Sequence, residues 1–246
     1  MDKKIKLGFL YSDLMNTYGD SGNVEVLQAR LKAQGFQSEV INLSLDANAK
    51  QFGNVDFYFF GGGQDQNQEV VASDLKGGKG EVIKTKVDGG CPLLAICGGY
   101  QLLGKWYQPY DAKKLEGVGI FNVETKASDK RMIGNLYIKT QTFLGNELIG
   151  FENHSGQTFL SDSAQPLGKV IKGFGNNGED QSEGVVYKNA IGCYLHGPVL
   201  TKNPIFADFF IRKIFEYKGI KNALKETADM FEKNAYQQSI ERALRD

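Results

Sequence analysis

The chain has 246 residues, 41% of them hydrophobic and 24% charged, which suits a folded protein with a sizeable core and excludes a low-complexity segment. Lys and Arg number 29 against 29 Asp and Glu, so the formal net charge is +0 and no basic surplus points to nucleic acid or an anionic membrane as a partner. The three cysteines, Cys91, Cys97 and Cys193, fit neither a disulfide framework nor a metal site, and no apolar stretch reaches membrane-spanning length. With no apolar signal core behind Met1-Asp2-Lys3-Lys4, the expectation is a cytoplasmic protein that is not integral to a membrane.

In chain order, Ile5 to Tyr11 reads as a first strand. The turn-rich loop Asn16-Thr17-Tyr18-Gly19-Asp20-Ser21-Gly22-Asn23 follows, then a helix with Val24, Leu27 and Leu31 on one face that stops at Gly35. Ser38 to Leu45 and Val55 to Phe60 read as strands, the latter so continuously apolar that both of its faces should be covered. Gly61-Gly62-Gly63 ends it, and a helical region from about Asn67 to Asp88 breaks at Gly77-Gly78-Lys79-Gly80. Pro92 to Ile96 is a further buried strand. This rhythm predicts an α/β fold around a mostly parallel sheet flanked by helices, with ligands at the carboxyl ends of the strands.

After Trp106 the texture changes. Gly119 to Val123, Asn135 to Thr142, Glu147 to Glu152, Gly168 to Ile171 and Gly184 to Tyr187 read as short antiparallel strands added to the parallel core. Gly173 to Asp180 reads as a mobile polar loop. Ala190 to Leu195 is apolar and delivers His196-Gly197-Pro198, and the tail reads as two helices, Pro204 to Tyr217 and about Lys221 to Leu244. With no repeat or linker, residues 1–246 are expected to form one domain with a helical extension over about 218–246.

The chemistry concentrates at Cys97. An apolar strand that ends at a cysteine, with Gly98-Gly99 opening a helix, has the pattern of a nucleophile elbow, where the reactive side chain faces a helix N-terminus that favours its thiolate. The alternative is a buried structural cysteine. Of the two histidines, His196 also ends an apolar run, so neighbouring parallel strands can bring it to Cys97 as a base; a core role is its alternative. His154 sits in a turn-like segment and suits a structural or substrate-contacting role better. The backbone N–H groups of Gly98 and of the loop containing Gly62 and Gly63 can point at a developing oxyanion.

Gly61-Gly62-Gly63, Cys97-Gly98-Gly99-Tyr100-Gln101 and Tyr194-Leu195-His196-Gly197 resemble the class I (triad) glutamine amidotransferases of the cobyric acid synthase branch, over roughly residues 5 to 215. More narrowly, Leu14-Met15-Asn16-Thr17-Tyr18-Gly19-Asp20, Gly61 to Asp65, Arg131-Met132-Ile133-Gly134-Asn135 and Phe151-Glu152-Asn153-His154 resemble the GatD family, the glutaminase subunits of lipid II isoglutaminyl synthases. The resemblance implies a flavodoxin-like glutaminase domain without a metal or cofactor of its own. In it, Cys97 attacks the carboxamide of L-glutamine, His196 activates Cys97, Arg131 binds the substrate and Gln101 shapes its pocket. Apart from that resemblance, Arg131 reads as an ordinary solvated charge and Gln101 as helix surface.

In one respect the sequence departs from the class. Most members carry His-x-Glu, whereas Gly197-Pro198 follows His196 here, so a dyad, an acid from elsewhere in the chain or an acid from a partner must complete the site. Nothing in the chain resembles a phosphate-binding loop, so whatever consumes ammonia must be another protein. By the resemblance that partner is MurT, a Mur-ligase-like subunit using ATP and Mg to amidate lipid II, which would bring the complex to the inner face of the membrane. Leu224, Ala228 and Phe231, on one expected helical stripe, are candidates to contact it. The rival readings are an amidotransferase acting on a corrinoid, a stand-alone Cys–His hydrolase and a non-catalytic scaffold subunit.

Overall fold

A computed structural model describes residues 4–140, 146–221, 224–227 and 229–245. In the first half, strands β1 (Lys4–Leu10), β2 (Gln37–Leu43), β3 (Phe57–Phe60) and β4 (Leu93–Ile96) alternate with helices α1 (Gly22–Ala33), α2 (Ala49–Phe52), α3 (Asp65–Asp74) and α4 (Gly80–Asp88). The expected break in the α3–α4 region is present as a π turn over Leu75–Lys79, in which Gly78 takes φ +95°. Only glycine enters that region without strain, which is why the helix resets its direction there. The short α5 (Gly98–Leu103) follows β4 directly.

Beyond α5 come β5 (Trp106–Gln108), β6 (Leu115–Glu116), β7 (Val123–Thr140), β8 (Glu147–Leu160), β9 (Gly168–Lys172), β10 (Ser182–Glu183), β11 (Val185–Tyr187) and β12 (Ala190–Cys193). Helices α6 (Val199–Lys202), α7 (Pro204–Tyr217) and α8 (Met230–Arg245) end the chain. The main sheet has the order β11-β12-β4-β3-β1-β2, parallel throughout except for β11 at one edge. All four residues of β3 are fully buried, as a strand covered on both faces requires. Each buried phenylalanine there contributes roughly 1.5–3 kcal/mol through removal from water. The second sheet runs β10-β9-β7-β5-β6, with β8 antiparallel to β7.

Several expectations about the second half need correction. The strands there are not all short: β7 has 18 residues and β8 has 14, and together they form one long hairpin that carries His154 within a strand rather than a turn. Most of Gly119 to Val123 is loop, β11 joins the main sheet, and residues 141 and 142 of the expected Asn135 to Thr142 strand lie outside the described residues. Some glycines within these strands are places of close approach. A Cβ on Gly150 would stand 2.9 Å from the His196 carbonyl oxygen and 2.8 Å from Leu195 Cδ2.

The loop expected to be mobile is pinned. Glu152, fully buried, accepts the N–H groups of Phe174 (2.7 Å) and Gly175 (2.9 Å), and buried Asn176 bonds Gly184 and Tyr100. The last helix begins at Met230, not near Lys221. Residues 224–227 are not helical; Lys225 exchanges two backbone hydrogen bonds with the Gln34 side chain of α1, and Arg30 holds Asp208 and Asp229. Among the described residues the expected stripe is not formed: Leu224 precedes the helix and Phe231 is 80% exposed, while Ala228 lies outside the described residues. Helix α8 packs on the β7–β8 hairpin through Ile240 and Ala243.

Candidate active site

Three strand ends build the site. β4 pairs with β3 on one side and β12 on the other, with Ala95 opposite Phe60 and Ile96 opposite Cys193. The residues that follow these strands, Gly61 to Gly63, Cys97 and His196, therefore leave the sheet side by side at its carboxyl edge. Cys97 stands at the tip of the β4–α5 turn with φ +50° and ψ −107°, a conformation that a non-glycine residue adopts only where the surroundings hold it. Its N–H bonds the Cys193 carbonyl (2.9 Å), and the Gly99 N–H bonds the Gly61 carbonyl (3.0 Å). A Cβ on Gly99 would lie 2.6 Å from the Phe60 oxygen and 2.9 Å from that of Gly61, so only glycine lets the helix start this close to β3.

His196 is fixed at its backbone by two hydrogen bonds with Phe151 of β8, 2.8 and 2.9 Å. Its Nδ1 faces the carboxylate of Asp20, at 3.1 Å from Oδ2 and 3.3 Å from Oδ1. A carboxylate accepts, so Nδ1 carries the proton and Nε2 is the nitrogen left for chemistry. Nε2 is buried and has no hydrogen-bond partner among the described residues. Burial opposes the charged ring, but the Asp20 hydrogen bond and charge, together with Cys97 beside it, raise the His196 pKa to about 10. A Cβ built on Gly62 would stand 3.4 Å from both Cys97 Cβ and His196 Cε1, and 3.8 Å from Asp20 Oδ2. Thiol, imidazole and carboxylate thus converge on one glycine.

The carboxylate that faces His196 in place of the missing His-x-Glu acid is that of Asp20, from elsewhere in this chain. It lies in the loop between β1 and α1, fully buried. The loop is held by Thr17 N–H on the Gly62 carbonyl (3.1 Å) and by the Asn23 side chain on the Asp20 carbonyl (3.0 Å). In the sequence Asp20 reads only as part of a turn-rich loop and as the end of a motif. The available signal was that its loop follows the first parallel strand and so falls at the same sheet edge as Cys97.

A cavity of about 80 Å³ opens onto Cys97. Gly63, Gln101, Arg131 and His154 line it, as do Tyr18, Asp65 and Gln68, which sequence reasoning did not single out. A larger cavity, about 810 Å³, lies between α7, α8 and the hairpin and contains none of these groups. Gln101 is buried rather than on a helix surface, accepting from Gln68 (2.8 Å) and donating to the Tyr194 hydroxyl (3.2 Å). Arg131, exposed at the cavity mouth, donates through Nε to Asn153 (2.6 Å) and through Nη2 to the Tyr18 hydroxyl (2.9 Å). Tyr18 in turn sets its ring 4.7 Å from that of His196.

His154 does not join Cys97. Its Nδ1 donates to the Gly156 carbonyl (2.8 Å), its ring stacks on Tyr194 at 3.6 Å, and its Nε2 is 3.5 Å from Glu152. Gly98 occupies the first position of α5, where the helix supplies no acceptor for its N–H, and a Cβ on Gly98 would come within 3.0 Å of the Gly63 nitrogen. The arrangement offers a thiol, an oriented imidazole, two neighbouring N–H groups and a guanidinium at the entrance. Chemically, that set suits acyl transfer from a small anionic amide.

Comparison with known proteins agrees with this geometry. The chain is 39% identical over 234 residues to the lipid II isoglutaminyl synthase (glutamine-hydrolyzing) subunit GatD of Staphylococcus aureus, covering 95% of this chain and 94% of that protein. It is 40% identical over 224 residues to the subunit of the same name from Streptococcus pneumoniae, covering 91% and 82%. A crystal structure of a glutamine amidotransferase shares the fold, with a TM-score of 0.57 at 14% identity over 85% of this chain and 98% of that one. The model of the CobB/CobQ-like glutamine amidotransferase domain matches residues 6–204, and the chain belongs to that family of enzymes.

Proposed function

We propose that the chain is the glutaminase subunit of a lipid II isoglutaminyl synthase. The observation that carries the chemistry is the convergence of Cys97, His196 and Asp20 around Gly62. Cys97 Sγ attacks the carboxamide carbon of L-glutamine. The carbonyl oxygen gathers negative charge, which the N–H groups of Gly98, Gly63 and Gly62 stabilise because they are fixed before the reaction begins. His196 takes the thiol proton and delivers it to the leaving nitrogen, releasing ammonia and leaving a glutamyl thioester. Water, deprotonated at His196 Nε2, then hydrolyses the thioester to glutamate and restores Cys97. Asp20 keeps Nδ1 protonated throughout, so Nε2 alone exchanges the proton. Arg131 holds the substrate α-carboxylate, and Gln101 fixes the pocket wall.

The acceptor comes from the relatives, whose names specify lipid II. The ammonia passes to a Mur-ligase-like MurT partner, which uses ATP and Mg to activate the D-glutamate α-carboxylate of the stem peptide and yields D-isoglutamine. Among the described residues no helix is long and apolar enough to cross a membrane. The subunit works in the cytoplasm, and lipid II bound by the partner brings it to the inner membrane face. The test is glutamate release from glutamine by the purified chain, alone and with MurT. Activity is expected to depend on Cys97, with Cys97→Ala reducing it at least ~1,000-fold while the complex still amidates lipid II from added ammonia. Full glutamine-dependent amidation by the Cys97→Ala complex would overturn the assignment.

A further inference from the structure

We propose that Asp65 is the residue that makes the site specific for a free α-amino acid, by holding the α-ammonium group of the substrate while Arg131 holds its α-carboxylate; this rests on the glutaminase reading above. Glutamine presents three features to the pocket, a carboxamide, a carboxylate and an ammonium. Cys97 and its N–H donors engage only the first, which any primary amide shares.

The cavity wall contains one carboxylate among the described residues, that of Asp65, and one guanidinium, that of Arg131. They come from different parts of the fold. Asp65 opens α3 immediately beyond the glycine loop that borders Cys97, whereas Arg131 projects from β7. Each is held by neighbours that leave its charge available. Tyr107, itself buried on β5, donates its hydroxyl to Asp65 Oδ1 at 2.8 Å, and Oδ2 takes no hydrogen bond from the described residues. Asp65 is the first residue of α3, one past the N-cap Gln64, so the capping position of the helix is not its own. Arg131 is held at Nε and Nη2, and Nη1 makes no hydrogen bond among the described residues. One oriented anion and one oriented cation on a single small cavity that contains the nucleophile complement a zwitterion, and oppositely charged groups at fixed positions confer specificity by rejecting ligands that lack one partner.

The test compares L-glutamine with 4-carbamoylbutanoate, which is glutamine without its amino group, as substrates for the chain in complex with MurT. Asp65→Asn should lower kcat/KM for glutamine about 10- to 100-fold, as loss of one charge-assisted hydrogen bond implies. It should leave kcat/KM for 4-carbamoylbutanoate within about twofold, erasing the preference for the amino acid. Tyr107→Phe, which keeps the carboxylate and removes only its tether, should retain that preference. Equal losses on both substrates in Asp65→Asn would make Asp65 a structural partner of Tyr107 and overturn the inference, as would an unchanged rate on glutamine. If the unmutated complex released no glutamate from glutamine, the glutaminase reading itself would fail, a result distinct from either of these.

Discussion

The site has two walls that differ in origin. One is made by the parallel sheet: Cys97, the glycine loop, Asp20 and His196 all follow the carboxyl ends of its strands, and their geometry is enforced by short backbone bonds such as Cys97 to Cys193 and Gly99 to Gly61. The other is the antiparallel hairpin β7–β8, which supplies Arg131, Asn153 and the buried His154. On the proposed reading the first wall holds the reacting atoms, while the second supplies Arg131 for the substrate carboxylate, a part that does not react. Since binding made equally in ground and transition states changes KM while interactions confined to the transition state change kcat, the two walls should separate kinetically.

The strongest way to break that comparison lies in the first wall. Asp20→Asn keeps the shape but lets an amide N–H face His196 Nδ1, which forces the proton onto Nε2 and removes its capacity as a base. A fall in kcat of about 100- to 10,000-fold is expected, with KM for glutamine nearly unchanged. Steady-state glutaminase kinetics would decide it, and a fall confined to KM would contradict the division. The same substitution carries a pH signature. The His196 pKa of about 10 lies above its ordinary 6.5, so protonation stabilises the folded state fully below pH 6.5, and that contribution is lost as pH rises toward 10. Without Asp20 the raised pKa falls. The Tm gap between the unmutated chain and Asp20→Asn should therefore be wider at pH 6 than at pH 10.

Arg131→Ala probes the second wall. Its guanidinium is exposed and, among the described residues, tethered only by Asn153 and Tyr18, so the fold should tolerate its loss. Loss of a charge-assisted contact to the substrate carboxylate should raise KM about 10- to 100-fold while kcat changes much less. Arg131→Lys should restore only part of the affinity, because an ammonium cannot present two parallel N–H groups. A large fall in kcat with unchanged KM would mean that the hairpin belongs to the chemistry after all.

The two walls also differ in how far the sequence revealed them. The parallel wall was legible because its signals are local: an apolar run, a cysteine and two glycines lie within a few residues, and the register of parallel strands brings successive strand ends to one edge. Asp20 escaped because its partner is 176 residues away. Its loop, full of Asn, Gly and Ser, satisfies every rule for an ordinary turn. The hairpin was misread for a physical reason too. Gly150 and Gly156 interrupt the apolar pattern, yet they are sites where the backbone must approach other elements closely, with a Cβ on Gly156 falling 2.4 Å from Gln101 Nε2. Whether a glycine ends a strand or admits a neighbour depends on what packs against it, which is tertiary information.

Behind both walls lies a buried acid that neither uses, and it gives the smallest and sharpest expectation. Glu183 is fully buried; one oxygen accepts the Tyr194 N–H (2.6 Å) and the other has no partner among the described residues. Burial chiefly, together with nearby Glu152, pushes its pKa from 4.5 up to about 8, although the Tyr194 N–H opposes the rise. A carboxyl whose folded pKa exceeds its unfolded value binds a proton more tightly when folded. Its stabilising contribution is complete below pH 4.5 and is lost as pH rises through about 8. Glu183→Gln retains an oxygen for Tyr194 and has no proton to lose. Its Tm relative to the unmutated chain should therefore climb steadily between pH 5 and pH 8, with kcat and KM at pH 7 nearly unchanged. If the Tm difference were flat with pH, Glu183 would be ionising alike in the folded and unfolded chains. A change in kcat would instead tie this acid to His196, two residues beyond Tyr194, and extend the chemical wall one layer deeper into the sheet.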